Sequence, residues 1–185
     1  MKSTVIIADD FPIALIGLKS LVKRHDISVI ADASNGRDAL RLAKKLTPTI
    51  VLADGIMPHL GGYDVSLSLA ISHPKIRTIV MAECTPANII RSLKCSAKGI
   101  ISKSASRESY LEAIDTVNQH SFFCENQHAY FKSLSGLDTD PSLTDRERDV
   151  LQLISEGHSL DDCTRLMGLK RPIIDAIYAK IKQKL

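Results

Sequence analysis

The chain lacks the features that would settle its class at a glance, and each absence excludes something. No apolar run approaches the ~20 residues that a membrane-spanning helix needs. Met1-Lys2-Ser3-Thr4 leads into a short strand-like stretch rather than the apolar core of a signal peptide. A membrane partner is therefore not expected, and the expected location is the cytoplasm. The four cysteines, Cys84, Cys95, Cys124 and Cys163, lie far apart with no C-x-x-C pair, so neither a zinc site nor a redox motif is indicated, and they read as reduced, packed or incidental thiols. No Ser-His-Asp or Cys-His arrangement stands at readable spacing, which argues against an enzyme. Charge of one sign is also scarce: a formal net charge of +3 does not by itself point to nucleic acid.

What is present is an ordinary globular composition, 44% hydrophobic and 24% charged, in 185 residues, enough for one large domain or two smaller ones. Up to about residue 117 short β-branched runs alternate with segments of helical period. Val5-Ile6-Ile7-Ala8, Ser28-Val29-Ile30-Ala31, Ile50-Val51-Leu52-Ala53, Thr78-Ile79-Val80-Met81 and Gly99-Ile100-Ile101 predict five strands. Their unbroken apolar character suits parallel strands covered on both faces. Helices are predicted near 12–24, 36–46, 62–72, 86–96 and 106–118, with Ile13, Leu15, Ile16, Leu18 and Leu21 as the apolar face of the first. Alternating β and α units imply an α/β fold, a doubly wound five-stranded parallel sheet, whose ligands bind beyond the carboxyl ends of the strands.

Periodicity fades over 119–141, where Asn, Ser, Gly, Asp and Pro are scattered, and this stretch reads as a linker. A second unit then begins. Thr144 and Glu147 have the T-x-x-E spacing of a capping box, and Val150, Leu151 and Ile154 follow on one helical face. Glu156-Gly157-His158 predicts a stop, Ser159 with Asp162 a new start, Gly168-Leu169 a turn, and Pro172 the first residue of a last helix running to Leu185. In that helix Ile174, Tyr178, Ile181 and Leu185 are expected to face inward. Its end is basic: Lys170, Arg171, Lys180, Lys182 and Lys184 stand against one acid, Asp175, a pattern that fits a phosphate-binding patch and a solvated helix face nearly equally.

The chemistry is concentrated at one edge of the predicted sheet. Asp9-Asp10 follows the first strand, Asp54 ends the third and Lys103 ends the fifth. Clustered carboxylates repel one another and call for a cation, and hard Mg²⁺ with oxygen ligands suits them. A lysine and a divalent ion together would stabilise a phosphoryl group placed on one carboxylate.

Three segments carry a family resemblance. Ile6-Ile7-Ala8-Asp9-Asp10-Phe11-Pro12 is similar to the opening of receiver domains in NarL/FixJ-family response regulators, which commonly have histidine where Phe11 stands. Val51-Leu52-Ala53-Asp54-Gly55-Ile56-Met57-Pro58-His59-Leu60-Gly61-Gly62 resembles the segment around their phosphoacceptor, and Gly99-Ile100-Ile101-Ser102-Lys103 resembles the strand bearing their lysine. The resemblance implies a flavodoxin-like receiver domain over 1–118. In it Asp54 accepts a phosphoryl group from a histidine kinase, Asp9, Asp10, Asp54 and the Ile56 carbonyl hold Mg²⁺, and Lys103 pairs with the phosphoryl oxygens. Two switch positions depart from the pattern: Met81 stands where Ser or Thr is usual and Ile100 where Tyr or Phe is usual. A thioether cannot donate the hydrogen bond expected there.

Leu143-Thr144-Asp145-Arg146-Glu147-Arg148-Asp149-Val150-Leu151 resembles the first helix of LuxR-type DNA-binding domains, and the spacing holds to Lys184-Leu185. This implies an all-α helix-turn-helix domain over 142–185, without the fourth helix usual beyond the position of Leu185. Double-stranded DNA would be met by Lys170, Arg171, Ile173, Asp175, Ala176, Ala179 and Lys180, and the family's two half-sites would suit a homodimer. Asp175 replaces a common lysine, and Ile173 and Ile177 replace polar residues. That isoleucine pair reads either as a partner surface or as packing against the linker or the first unit. The leading expectation is a regulator of transcription switched by phosphorylation. The alternative is a phosphorylation-independent regulator working through protein–protein contacts.

Overall fold

A computed structural model describes residues 3–126, 144–155, 158 and 160–184. Strands Ser3–Ala8 (β1), Ile27–Ala33 (β2), Ile50–Asp54 (β3), Arg77–Met81 (β4), Gly99–Ile101 (β5) and Phe123–Cys124 (β6) form one sheet in the order β2-β1-β3-β4-β5-β6, with every neighbouring pair parallel. Helices Pro12–Leu21 (α1), Gly36–Leu46 (α2), Gly62–Ser72 (α3), Pro86–Lys94 (α4) and Arg107–Asn118 (α5) connect the first strands. The order of the strands reverses around β1 and β3, and beyond the carboxyl ends at such a reversal is where sheets of this kind bind ligands.

Both faces of the sheet are covered, which is why its strands read as unbroken apolar runs. Val5, Ile7, Leu52, Ile79, Met81 and Ile101 face Leu15 and Leu18 of α1 and Ile114 and Val117 of α5. Ile6, Ala8, Val51 and Ala53 face Ala39 and Ala43 of α2 and Val65 and Leu69 of α3. Helix α1 departs from the expected single face: Leu15 and Leu18 are buried, but Ile13 is 76% and Ile16 65% exposed. At 100° per residue, Ile13 and Leu15 are about 200° apart, so the five apolar residues are spread over opposite sides of the helix.

The sixth strand arises in the stretch expected to be linker. It pairs Phe123 with Gly99 and Cys124 with Ile100, after His120 (φ 64°) has turned the chain back from α5. Two residues are too few to show a strand period, so the pattern could not reveal it. The rest of that stretch from 127 onward lies outside the described residues.

The second unit contains Asp145–Ser155 (α6), Leu160–Met167 (α7) and Arg171–Lys184 (α8). The capping box closes as expected: the Thr144 N–H donates to Glu147 Oε2 at 2.7 Å, and the Glu147 N–H to Thr144 Oγ1 at 3.4 Å. Val150, Cys163, Ile174 and Ile181 form its buried core, with Tyr178 partly buried against them. The same apolar cluster includes Ile89, Ile100 and Cys124 of the first unit. Ile177 packs on this cluster, while Ile173 stays 44% exposed. The stop predicted at Glu156-Gly157, the start at Ser159 and the terminal Leu185 lie outside the described residues. Among the described residues no helix is long and apolar enough to cross a membrane.

Candidate functional site

Parallel strands deliver their carboxyl ends to one edge, and the four polar residues singled out in the sequence meet there. Asp9 is fully buried and Asp54 is 7% exposed. The Lys103 ammonium donates to Asp54 Oδ2 at 2.7 Å and lies 2.9 Å from Asp9 Oδ2, so one cation bridges two carboxylates from different strands. Backbone groups hold the other oxygens: the Phe11 N–H donates to Asp9 Oδ1 at 2.9 Å, and the Ile56 N–H to Asp54 Oδ1 at 3.3 Å. The Phe11 ring, in the place of the resemblance's histidine, has its centroid 5.6 Å from the same ammonium.

Electrostatics in the pocket are dominated by burial. It pushes the Asp54 carboxyl up from the ordinary range and Asp9 adds to this, while Lys103 and the Ile56 N–H pull the other way. Burial pulls the Lys103 ammonium down, but Asp54 and Asp9 together outweigh it and its proton is held more tightly than usual. Three carboxylates against one ammonium leave the pocket negative. Among the described residues the buried Asp10 Oδ1 has no hydrogen-bond partner, and ligand oxygens of Asp9, Asp10 and Asp54 all lie within 4.8 Å of one another. An orphaned carboxylate oxygen facing two further carboxylates fits a hard divalent cation, because a buried, unpaired acceptor is otherwise costly.

Glycine at two positions lets the backbone close around Asp54. A Cβ on Gly62, the first residue of α3, would stand 2.6 Å from the Asp54 carbonyl oxygen and 2.7 Å from that of Ala53. A Cβ on Gly36, opening α2, would stand 2.0 Å from the Leu60 carbonyl oxygen in the loop after β3. Gly62 thus lets the start of α3 meet the end of β3, and Gly36 lets the start of α2 meet Leu60 in the loop after β3.

Met81 and Ile100 are in place but face different layers. Met81 is register partner of Asp54 and is fully buried among the α1 and α5 side chains. Ile100 is fully buried on the other face of the sheet, in the cluster shared with the second unit. Sequence reasoning missed the residues that fix the turn carrying Lys103. The Ser102 hydroxyl donates to Glu83 Oε1 at 3.1 Å, the Ser102 N–H to Glu125 Oε2 at 3.1 Å, and the Ser102 carbonyl accepts from the buried Tyr110 hydroxyl at 3.2 Å. No spacing signal links residues so far apart in the chain.

In the second unit Lys170, Arg171, Ile173, Asp175, Ala176, Ala179 and Lys180 are all exposed, along one side of α8 and at its start. Asp175 is not a lone carboxylate. It accepts from Arg171 Nε at 2.8 Å, and Arg171 also reaches Asp161 on α7, so the guanidinium at the start of the last helix is held between two acids.

Comparison with known proteins agrees with this arrangement. Residues 5–115 match the family described as the response regulator receiver domain. The transcriptional regulatory protein MctR of Rhizobium johnstonii is 29% identical, covering 100% of this chain and 87% of its own length. The response regulator GacA of Pseudomonas aeruginosa is 26% identical over 98% of this chain and 88% of its own. Among solved structures, the receiver domain of the putative regulator NarL from Mycobacterium tuberculosis superposes with a TM-score of 0.61 at 25% identity, covering 64% of this chain and 97% of that one. The Salmonella typhimurium response regulator RcsB has the same fold over 100% of this chain and 92% of its own, with a TM-score of 0.63 at 21% identity.

Proposed function

Since the chain belongs to the response regulator receiver domain family, we propose that it is a two-component response regulator that controls transcription, with Asp54 as its phosphoacceptor. The carrying observation is the Asp9, Asp10, Asp54 cluster with Lys103 bridging two of its members. Asp54 supplies the nucleophilic carboxylate. Its oxygen attacks the phosphorus of a phosphohistidine on a histidine kinase, the P–N bond breaks with its electron pair returning to the imidazole, and an acyl phosphate forms. Mg²⁺, held by Asp9, Asp10, Asp54 and the Ile56 carbonyl, would neutralise charge on the transferred phosphoryl oxygens. Lys103 then exchanges a carboxylate for a phosphoryl oxygen as partner, and the Ile56 N–H keeps the carboxyl oriented during transfer. The protein is a phosphorylated switch rather than an enzyme acting on other substrates, and it works in the cytoplasm.

Output is assigned to α8. Its exposed residues would enter the major groove of duplex DNA, with Lys170, Arg171 and Lys180 available to phosphates. Support comes from relatives named as transcriptional regulators and from a solved complex titled as RcsB with DNA, which matches 98% of this chain with a TM-score of 0.63. Another matching structure is titled as two RcsB dimers bound to two parallel DNAs, and a homodimer on two half-sites is the corresponding assembly here.

The test is phosphorylation of the full chain by acetyl phosphate, followed by intact mass. One phosphoryl group, lost in hydroxylamine, dependent on Mg²⁺ and absent from Asp54→Asn, is expected. Label that persists in Asp54→Asn would overturn the assignment.

A further inference from the structure

We propose that Cys84 and Cys124 form a reversible dithiol–disulfide site that fastens the loop after β4 to the last strand of the sheet. Cys84 stands three residues past the end of β4, and Cys124 is the last residue of β6. The sheet brings them together across β5. The Cys84 sulfur lies 3.8 Å from the Ile100 carbonyl oxygen, and Ile100 is the register partner of Cys124. Cys84 packs against the apolar cluster to which Cys124 belongs, and the Cys124 thiol donates to the Asn126 carbonyl at 3.4 Å, beside the loop that Cys84 faces. The other two cysteines are placed differently: Cys95 is buried with its thiol on the Ser92 carbonyl at 3.1 Å, and Cys163 is buried in the core of the second unit.

The two sulfurs are not equivalent, which gives the site a direction of reaction. Cys84 is only partly buried and lines an open cavity of about 650 Å³ together with Glu83, Ser102, Glu125 and Asn126. Cys124 is 2% exposed. The Cys124 thiol and the Asn126 N–H lower the Cys84 thiol against the effects of burial and of Glu125, whereas contact with Cys84 and burial push Cys124 up. Cys84 is therefore the attacking thiolate and Cys124 the resolving thiol, and it is the thiolate that reacts.

A hydroperoxide is the oxidant that suits this geometry. The Cys84 thiolate attacks the peroxide oxygen, the O–O bond breaks and, with the thiol proton, water leaves, giving a sulfenic acid. The Cys124 sulfur attacks that sulfur, the S–O bond breaks and, with the Cys124 proton, a second water leaves. Two thiols are oxidised by two electrons and one peroxide is reduced. A low-molecular-weight dithiol restores the pair by exchange. The bond joins the β4–α4 loop, directly after Met81, to β6, and Cys124 and Ile100 belong to the apolar cluster that includes residues of the second unit. Oxidation thus restrains the face of the sheet that packs on the second unit without touching Asp54.

The full-length reduced protein is treated with a small excess of hydrogen peroxide and digested without reduction. The expected product is a single cross-linked peptide pair containing Cys84 and Cys124, with two of the four thiols still titrating in denaturant and all four after dithiothreitol. Cys95→Ser and Cys163→Ser should give the same linkage, and Cys84→Ser should give none. In the oxidised wild-type chain, amides of residues 82–88 should exchange about tenfold more slowly. Stable over-oxidation of Cys84 without a link to Cys124, or a Cys84–Cys84 link between two chains, would overturn the proposal, and both are read in the wild-type protein whether or not a variant folds.

Discussion

Replacing Gly62 by alanine puts a single methyl group where the structure has no room for it. Its carbon would lie 2.6 and 2.7 Å from two backbone carbonyl oxygens, those of Asp54 and Ala53, and neither can swing away as a side-chain end would. Either the start of α3 or the end of β3 must move by several tenths of an ångström. Overpacking of this kind costs about 1–3 kcal/mol. Against it stands the gain of about 0.5–1 kcal/mol that alanine brings over glycine inside a helix. The net expectation is a loss of up to roughly 2.5 kcal/mol. Gly17 provides the internal control: it is exposed within α1 and a Cβ there meets none of the described residues within 4 Å, so Gly17→Ala should stabilise by about 0.5–1 kcal/mol. The assay is urea unfolding followed by circular dichroism, with phosphorylation by acetyl phosphate measured on the same samples. Gly62→Ala should shift the midpoint down and slow labelling of Asp54, and Gly17→Ala should shift it up and leave labelling alone. Equal midpoint shifts of the same sign in the two variants would refute the claim that backbone closure on Asp54 requires glycine at 62.

Three further outcomes follow from named contacts. Thr144→Ala removes the side-chain acceptor of the α6 capping box and should cost the second unit about 1 kcal/mol, read as a lower melting temperature. Asp175→Ala frees Arg171 from one of its two carboxylate partners, so affinity for duplex DNA should rise and the slope of log K against log salt should steepen by about one unit; unchanged salt dependence would mean that Arg171 makes no phosphate contact. Burial raises the Tyr110 hydroxyl well above its usual value, so the folded state favours the neutral phenol. Its contribution to stability is full below pH ~10 and is lost as pH rises from there toward the raised value, and absorbance titration should show Tyr110 ionising only as the chain unfolds.

The parts of this molecule that are written locally were legible in its sequence. Apolar runs gave five strands because both faces of the sheet are covered, and the bounds predicted for α2 and α3 coincide with those observed. The acidic residues with Lys103 could be brought together on paper because parallel strands deliver all their carboxyl ends to one edge. Thr144 and Glu147 were legible because a capping box spans three residues. What escaped depends on contacts between distant segments or on very short elements. Strand β6 has two residues and takes its identity from pairing with β5. The Arg24 guanidinium bridges Asp26 and Asp115, 91 residues away, without a spacing rule to announce it. Asp175 stood out in the sequence as the replacement of a common lysine, whereas its pairing with Arg171, which also holds Asp161, is a property of how α7 and α8 meet.

On the function proposed here, occupancy of the Asp54 pocket governs what α8 does, and DNA binding reads that coupling. Fluorescence anisotropy would be measured with the duplex from upstream of the protein's own coding region against a scrambled duplex, at near-physiological salt, with and without beryllofluoride and Mg²⁺, for the wild type and Asp54→Ala. Saturable binding that prefers the upstream duplex and tightens with beryllofluoride in the wild type alone is expected. Selective binding that ignores both the mimic and Asp54, or no preference between the duplexes in any state, would contradict it.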